Sequence, residues 1–79
     1  MITVYVLIRV SPGLDREVLK KIKKLPQVKN SVTVYGEYDL IIKIELENLE
    51  ELDSFIFDTI RTISGVESTT TLITTTIPK

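Results

Sequence analysis

The 79-residue sequence contains no cysteine, no histidine and no tryptophan. Without cysteine no disulfide can staple the chain, and without thiol or imidazole a typical zinc site has no donors. Catalysis through a cysteine nucleophile or a histidine base falls away too, which leaves Asp39, Glu37, Tyr35 or Tyr38 to carry any proton transfer. No apolar run approaches the eighteen or so residues of a membrane span. Met1-Ile2-Thr3-Val4 has neither a basic lead nor a cleavage site, so a cytoplasmic chain with no membrane partner is expected. A large basic excess is missing as well. The net charge is −1, which does not promise the continuous basic surface that nucleic acid demands.

What is present is unevenly distributed. Residues 1 to 30 carry seven basic and two acidic side chains, and residues 31 to 79 carry three basic and nine acidic, so +5 and −6 nearly cancel. A chain this short forms one domain, residues 1–79, and buries only a modest share of its surface. With no disulfide or metal to help, burying further surface in an oligomer would add stability.

Ile2 to Val10 alternates Ile2, Val4, Val6, Ile8 and Val10 against Thr3, Tyr5, Leu7 and Arg9, a strand by period and by β-branched content. One face is wholly apolar and the other half apolar, which predicts a central position. Ser11-Pro12-Gly13-Leu14-Asp15 breaks the chain and leads into a helix, with Ser11 or Asp15 expected as N-cap. Leu14, Val18, Leu19, Ile22 and Leu25 recur at helical spacing, Lys20, Lys21, Lys23 and Lys24 occupy the other side, and Pro26 ends the helix. Cations near a helix C-terminus complement the macrodipole, so the lysines read as a solvated face.

Val28 to Val34 reads as a one-sided edge strand, Val28, Val32 and Val34 against Lys29, Ser31 and Thr33, with Asn30 breaking the phase. Leu40, Ile42, Ile44 and Leu46 then alternate with Ile41, Lys43 and Glu45. Asn48 starts a second helix as its cap, with Glu51 reaching back as in a capping box. Leu52, Phe55, Ile56, Thr59, Ile60 and Ile63 form its buried stripe, Phe57 falls off it, and Gly65 suits the left-handed C-terminal position. Val66 to Ile77, rich in threonine, reads as an edge strand with a bulge.

Between the second and third strands lies Val34-Tyr35-Gly36-Glu37-Tyr38-Asp39-Leu40, the tip of a β-hairpin. Gly36 is expected at positive φ, and Asp39 is fixed beside backbone N–H groups. Amide donors next to one carboxylate suit a zwitterion, whose carboxylate needs donors and whose ammonium needs an acceptor. Strand, helix and strand occur twice, so the order is β-α-β-β-α-β: an α+β, ferredoxin-like fold with both helices on one face of a four-stranded antiparallel sheet. The opposite face carries Tyr5, Leu7, Ile41 and either Ile73 or Leu72, and sheet-on-sheet dimerisation would cover it.

The order Val34-x-Gly36-x-Tyr38-Asp39-Leu40, then an acidic helix, then Gly65-Val66-x-x-Thr69-x-Thr71, resembles the effector domain of the Lrp/AsnC feast/famine transcription regulators, called RAM. The resemblance covers essentially the whole chain. It implies a dimeric α+β barrel, rings of dimers such as octamers, and an amino-acid effector bound between dimers, with no cofactor, no metal and no direct nucleic-acid contact. Tyr35, Gly36, Glu37, Tyr38 and Asp39 are the ligand-binding positions it implies, with Thr69 and Thr71 at the last strand. Those regulators also carry a helix-turn-helix domain, which this sequence does not contain. A stand-alone effector-binding module that modulates full-length regulators is therefore the expectation. Neither the effector, the ring size, the regulator nor the gene is readable from the residues.

Two other functions compete. An oxygenase- or isomerase-like enzyme on a dimeric α+β barrel would have to place its acid-base chemistry on Asp39, Glu37, Tyr35 or Tyr38. Direct nucleic-acid binding would use the lysine helix or the open sheet, where only Tyr5 could serve as an aromatic platform.

Overall fold

A computed structural model of the chain describes residues 1–75. Four strands, β1 (Ile2–Val10), β2 (Val28–Thr33), β3 (Leu40–Leu46) and β4 (Val66–Ile73), form one antiparallel sheet in the order β2-β3-β1-β4. Helix α1 (Asp15–Lys23) joins β1 to β2, and α2 (Leu49–Ser54), extended by a π-helical turn over Phe55–Ile60, joins β3 to β4. This is the α+β, ferredoxin-like arrangement that the alternating patterns predict. Among the described residues, no helix is long and apolar enough to cross a membrane.

The core is built from one face of the two inner strands. Val4, Val6, Ile8 and Val10 of β1 and Leu40, Ile42, Ile44 and Leu46 of β3 are buried against Val18 and Ile22 of α1 and Leu52, Phe55, Ile56 and Ile60 of the second helical segment. Period-2 alternation on the strands delivers these side chains to the helices. The π turn explains the remaining positions. Its wider i→i+5 bonding, seen in Arg61 N–H donating to the Ile56 carbonyl at 2.9 Å, brings Phe55 and Ile60 to the same side. Phe57 is left outside under the Arg61 guanidinium, 5.3 Å from the ring centroid.

Several local expectations need correction. Neither Ser11 nor Asp15 caps α1: Leu14 holds the N-cap position without a side-chain bond, Asp15 is the first helical residue, and the Ser11 hydroxyl donates to Glu67 instead. Asn48 does cap α2, accepting from the Glu51 N–H at 2.9 Å, but the Glu51 carboxylate accepts from Glu47 N–H rather than from Asn48. In β2 the expected phase fails at Lys29. Val28 lies opposite Ile44 but Asn30 lies opposite Lys43, so one extra residue turns Val32 onto the open face, opposite Ile41. The bulge expected in the last strand is present, since Arg9 pairs with Ser68 and Val10 with Val66 and leaves Glu67 over. That strand ends at Ile73; Thr74 and Thr75 lie beyond it, and the predicted continuation through Thr76 and Ile77 falls outside the described residues.

On the bare face Tyr5 sits opposite Leu72, and Leu7 opposite Ile41, with Val32 beyond. Leu72 is 50% and Val32 47% exposed. Ile73 pairs with Val4 and belongs to the helix side, so of the two residues proposed for this patch only Leu72 joins it. The apolar patch therefore runs from β2 to β4.

Gly65 carries the return from the second helical segment to β4 at φ +103°, and a Cβ there would lie 2.9 Å from Val18 Cγ2 and 3.2 Å from Leu14 Cβ. Gly13 and Gly36 also have positive φ but open space around them. Gly65→Ala should therefore cost about 1–3 kcal/mol from backbone strain alone and more from the contact. Urea denaturation of the three Gly→Ala variants should rank Gly65→Ala as the most destabilised, and equal midpoints would refute the packing argument.

Candidate functional site

The β2–β3 connection projects from the end of the sheet where β1 leaves it. Val34 N–H donates to the Asp39 carbonyl at 3.0 Å, closing the loop, and Asp39 N–H donates to the Ile8 carbonyl at 2.9 Å, fastening it to β1. The backbone ladder between β1 and β3 ends at Ile8 and Leu40. One step further, Asp39 Oδ2 accepts from Val10 N–H at 2.7 Å. The carboxylate thus supplies a rung that the backbone no longer can, with the added strength of an ionised acceptor.

Gly36, at φ +128°, reverses the chain at the tip, and Tyr35 beside it is fully exposed. Glu37 and Tyr38 turn toward the open sheet face. The Tyr38 hydroxyl shares a hydrogen bond with Thr70 Oγ1 at 2.7 Å, so its ring spans the end of β1 to reach β4. Arg9 donates through Nε to the Glu37 carbonyl at 3.2 Å, its guanidinium comes within 3.8 Å of the Glu37 carboxylate, and its Cζ lies 5.9 Å from the Tyr38 ring centroid.

A separate cleft of about 320 Å³ opens beside the first turn of α1, lined by Asp15, Arg16, Leu19, Thr33, Val34, Tyr35 and Asp39. It presents carboxylates, one guanidinium and an apolar wall within a single concavity. A larger concavity of about 530 Å³, lined by Asn48, Glu50, Glu51, Asp58 and neighbours, lies at the other end of the sheet and contains none of the hairpin residues. Size alone favours the second, but its charged lining is all acidic, whereas the first combines both signs of charge with an apolar wall.

The residues nominated from sequence are therefore divided. Tyr35 and Asp39 line the cleft, Glu37 and Tyr38 are fastened on the open face, and Gly36 lies between them. Thr69 and Thr71 stand opposite Ile8 and Val6, on the helix side of β4, and Thr70 is the threonine that meets Tyr38. Sequence reasoning missed Arg9, Arg16 and Thr70. Arg9 did offer a signal, as the only charged residue in β1, but its partner Glu37 is 28 positions away.

Comparison with known proteins accords with this architecture. A family model described as the Lrp/AsnC ligand binding domain matches residues 3–79. The HTH-type transcriptional regulator FL11 of Pyrococcus furiosus is 39% identical over 72 residues, covering 91% of this chain and 47% of the regulator. The chain spans about half the length of the curated relatives it matches. Among solved structures, PHS023 from Pyrococcus horikoshii is 41% identical with a TM-score of 0.88, covering 95% of this chain and 90% of that one. TTHA0845 from Thermus thermophilus is 37% identical with a TM-score of 0.92 over 100% of this chain and 99% of its own. A match over nearly the whole sequence, with the sheet order and hairpin just described, means that the chain belongs to the Lrp/AsnC ligand-binding domain family.

Proposed function

We propose that this chain binds a free amino acid in the cleft between the hairpin tip and α1, and that it acts as an effector-sensing module for regulators of its own family. The observation that carries this reading is that Asp39 and Arg16 line one cleft, together with Leu19, Val34 and Tyr35. An amino acid presents one ammonium, one carboxylate and a side chain. Among the described residues Asp39 spends only Oδ2 on Val10, so Oδ1 can accept from an ammonium. The Arg16 fork suits a carboxylate, and the apolar wall suits an aliphatic side chain. Gly36, Glu37 and Tyr38 hold the loop that presents Asp39, while Thr69 and Thr71, on β4, lie outside the residues that line this cleft.

Pairing through the open face completes the reading. Tyr5, Leu7, Val32, Ile41 and Leu72 make a patch that a second copy of the sheet would cover, and the same face in a full-length regulator would accept this chain in a mixed pair. That relatives are named as transcriptional regulators supports a regulatory rather than an enzymatic role. The enzyme alternative has two carboxylates at the tip, Asp39, which accepts from Val10 N–H, and Glu37, which lies 3.8 Å from the Arg9 guanidinium.

Thermal denaturation with each of the twenty amino acids in turn tests the reading. A ligand at a hundred times its Kd adds about 2.7 kcal/mol, a rise in Tm on the order of 10 °C for a domain of this size. At least one aliphatic amino acid should produce it, and a flat panel at millimolar concentration would overturn the proposal. Three substitutions separate binding from folding. Arg16→Ala, on an exposed helical position, should abolish the ligand-induced rise and move the unliganded stability by no more than about 0.5 kcal/mol. Asp39→Ala should cost about 1–3 kcal/mol even without ligand, because Val10 N–H loses its acceptor. Asp39→Asn keeps an oxygen there and should recover most of that loss without recovering the ligand response.

A further inference from the structure

The cleft uses Asp39, Arg16 and their neighbours, and on the other side of the loop Arg9 so far has no role in it. There Arg9 contacts Glu37 twice, through its carbonyl at 3.2 Å and its carboxylate at 3.8 Å, and stands over the Tyr38 ring, whose hydroxyl is bonded to Thr70. We propose that Arg9 is a positioning residue for the amino-acid cleft, holding the Asp39 carboxylate in place from the opposite face of the sheet. This rests on the effector reading above for the identity of the site, and on the hairpin geometry alone for the holding.

Glu37, Tyr38 and Asp39 are consecutive, so their Cα atoms are only 3.8 Å apart across each trans peptide and no slack separates them. Two are fastened to the open face and the third to Ile8 and Val10. Gly36 just before them has a wide conformational range and nothing within 4 Å of a built Cβ, so the loop receives no packing support on that side. Restraint must come from the contacts that follow Gly36, and Arg9 supplies three of them. The guanidinium is suited to this: its planar fork donates at a fixed angle and stacks on an aromatic ring, which a lysine ammonium cannot reproduce. In water an exposed ion pair is weak, so the backbone carbonyl bond and the ring contact, rather than the charge pair, set the loop position.

Arg9→Gln and Tyr38→Phe test this on the whole chain, with amide hydrogen exchange and L-leucine calorimetry as readouts. In Arg9→Gln, exchange at Val34 and Asp39 N–H should speed up about tenfold or more, while the amides of Val6 and Ile42 keep their wild-type rates. L-leucine should bind about tenfold more weakly, with the unliganded Tm little changed. Tyr38→Phe, which keeps the ring but loses the Thr70 bond, should fall between wild type and Arg9→Gln in both. Unchanged exchange at Val34 and Asp39 would overturn the holding role, whatever binds. Faster exchange with unchanged L-leucine affinity would show that the loop is held but that holding does not serve the cleft, and would equally overturn the proposal. Should wild type take up no amino acid, the effector reading fails by that result, and the exchange rates still decide whether Arg9 holds the loop.

Discussion

Strand β1 is bonded along both edges, to β3 on one side and β4 on the other, and every other element takes its position from it. Its alternation is almost without error, so Val4, Val6 and Ile8 are wholly buried beneath the helices while Tyr5 and Leu7 are delivered to the opposite surface. Burying an aliphatic side chain is worth about 1.5–3 kcal/mol, which makes the inward face the main source of stability in so short a chain. The outward face follows as a consequence. A strand cannot place apolar residues at every second position between two covered neighbours without also choosing what its other face shows, and here it shows tyrosine and leucine. The bare apolar surface is thus tied to the same nine residues that build the core.

Both inner strands were legible for this reason. Each has an unbroken period of two over its whole length, and no competing pattern explains Ile2 to Val10 or Leu40 to Leu46. The second helix was legible at its start, through Asn48, but not in its middle or at its end, which falls at Ile60 with Arg61 as C-cap and short of Gly65. The switch to a π turn over Phe55–Ile60 leaves no mark that an ordinary apolar stripe does not also leave. β2 misled because a bulge changes the phase by one residue without changing composition. Lys29 is as ordinary in a regular strand as in a bulge, yet it decides that Val32 faces outward. Ser11 misled for another reason: its hydroxyl had two uses, a helix cap and a cross-chain bond to Glu67 that is 56 residues away, and only the fold reveals the second.

The hairpin shows the same limit more sharply. Gly36 and Asp39 could be picked out locally, the one for its backbone freedom and the other for its charge. What holds them could not. Val10, Arg9 and Thr70 all reach the loop from elements distant in sequence, and none belongs to a short motif. Nor could the division of the loop between two faces be seen, because successive positions in a turn do not follow strand alternation. Thr69 and Thr71 illustrate this: once the extra residue Glu67 is placed, the register puts Thr70, and neither of them, on the side of Tyr38.

On the effector reading proposed above, Asp39 joins structure to recognition. A carboxylate offers two oxygens and about four acceptor positions, so fastening Oδ2 to Val10 N–H leaves capacity unspent. That single bond fixes the direction of the second oxygen at no further conformational cost, because the side chain is already ordered by its role at the end of the ladder. A binding group that is ordered before the ligand arrives loses less entropy on association than one recruited from a free loop. The short chain has little stability to spare for a site held only for recognition. On that reading, using one side chain both to end the β1–β3 ladder and to face the cleft lets the fold itself supply the preorganisation, and a carboxylate has the acceptor capacity for both uses.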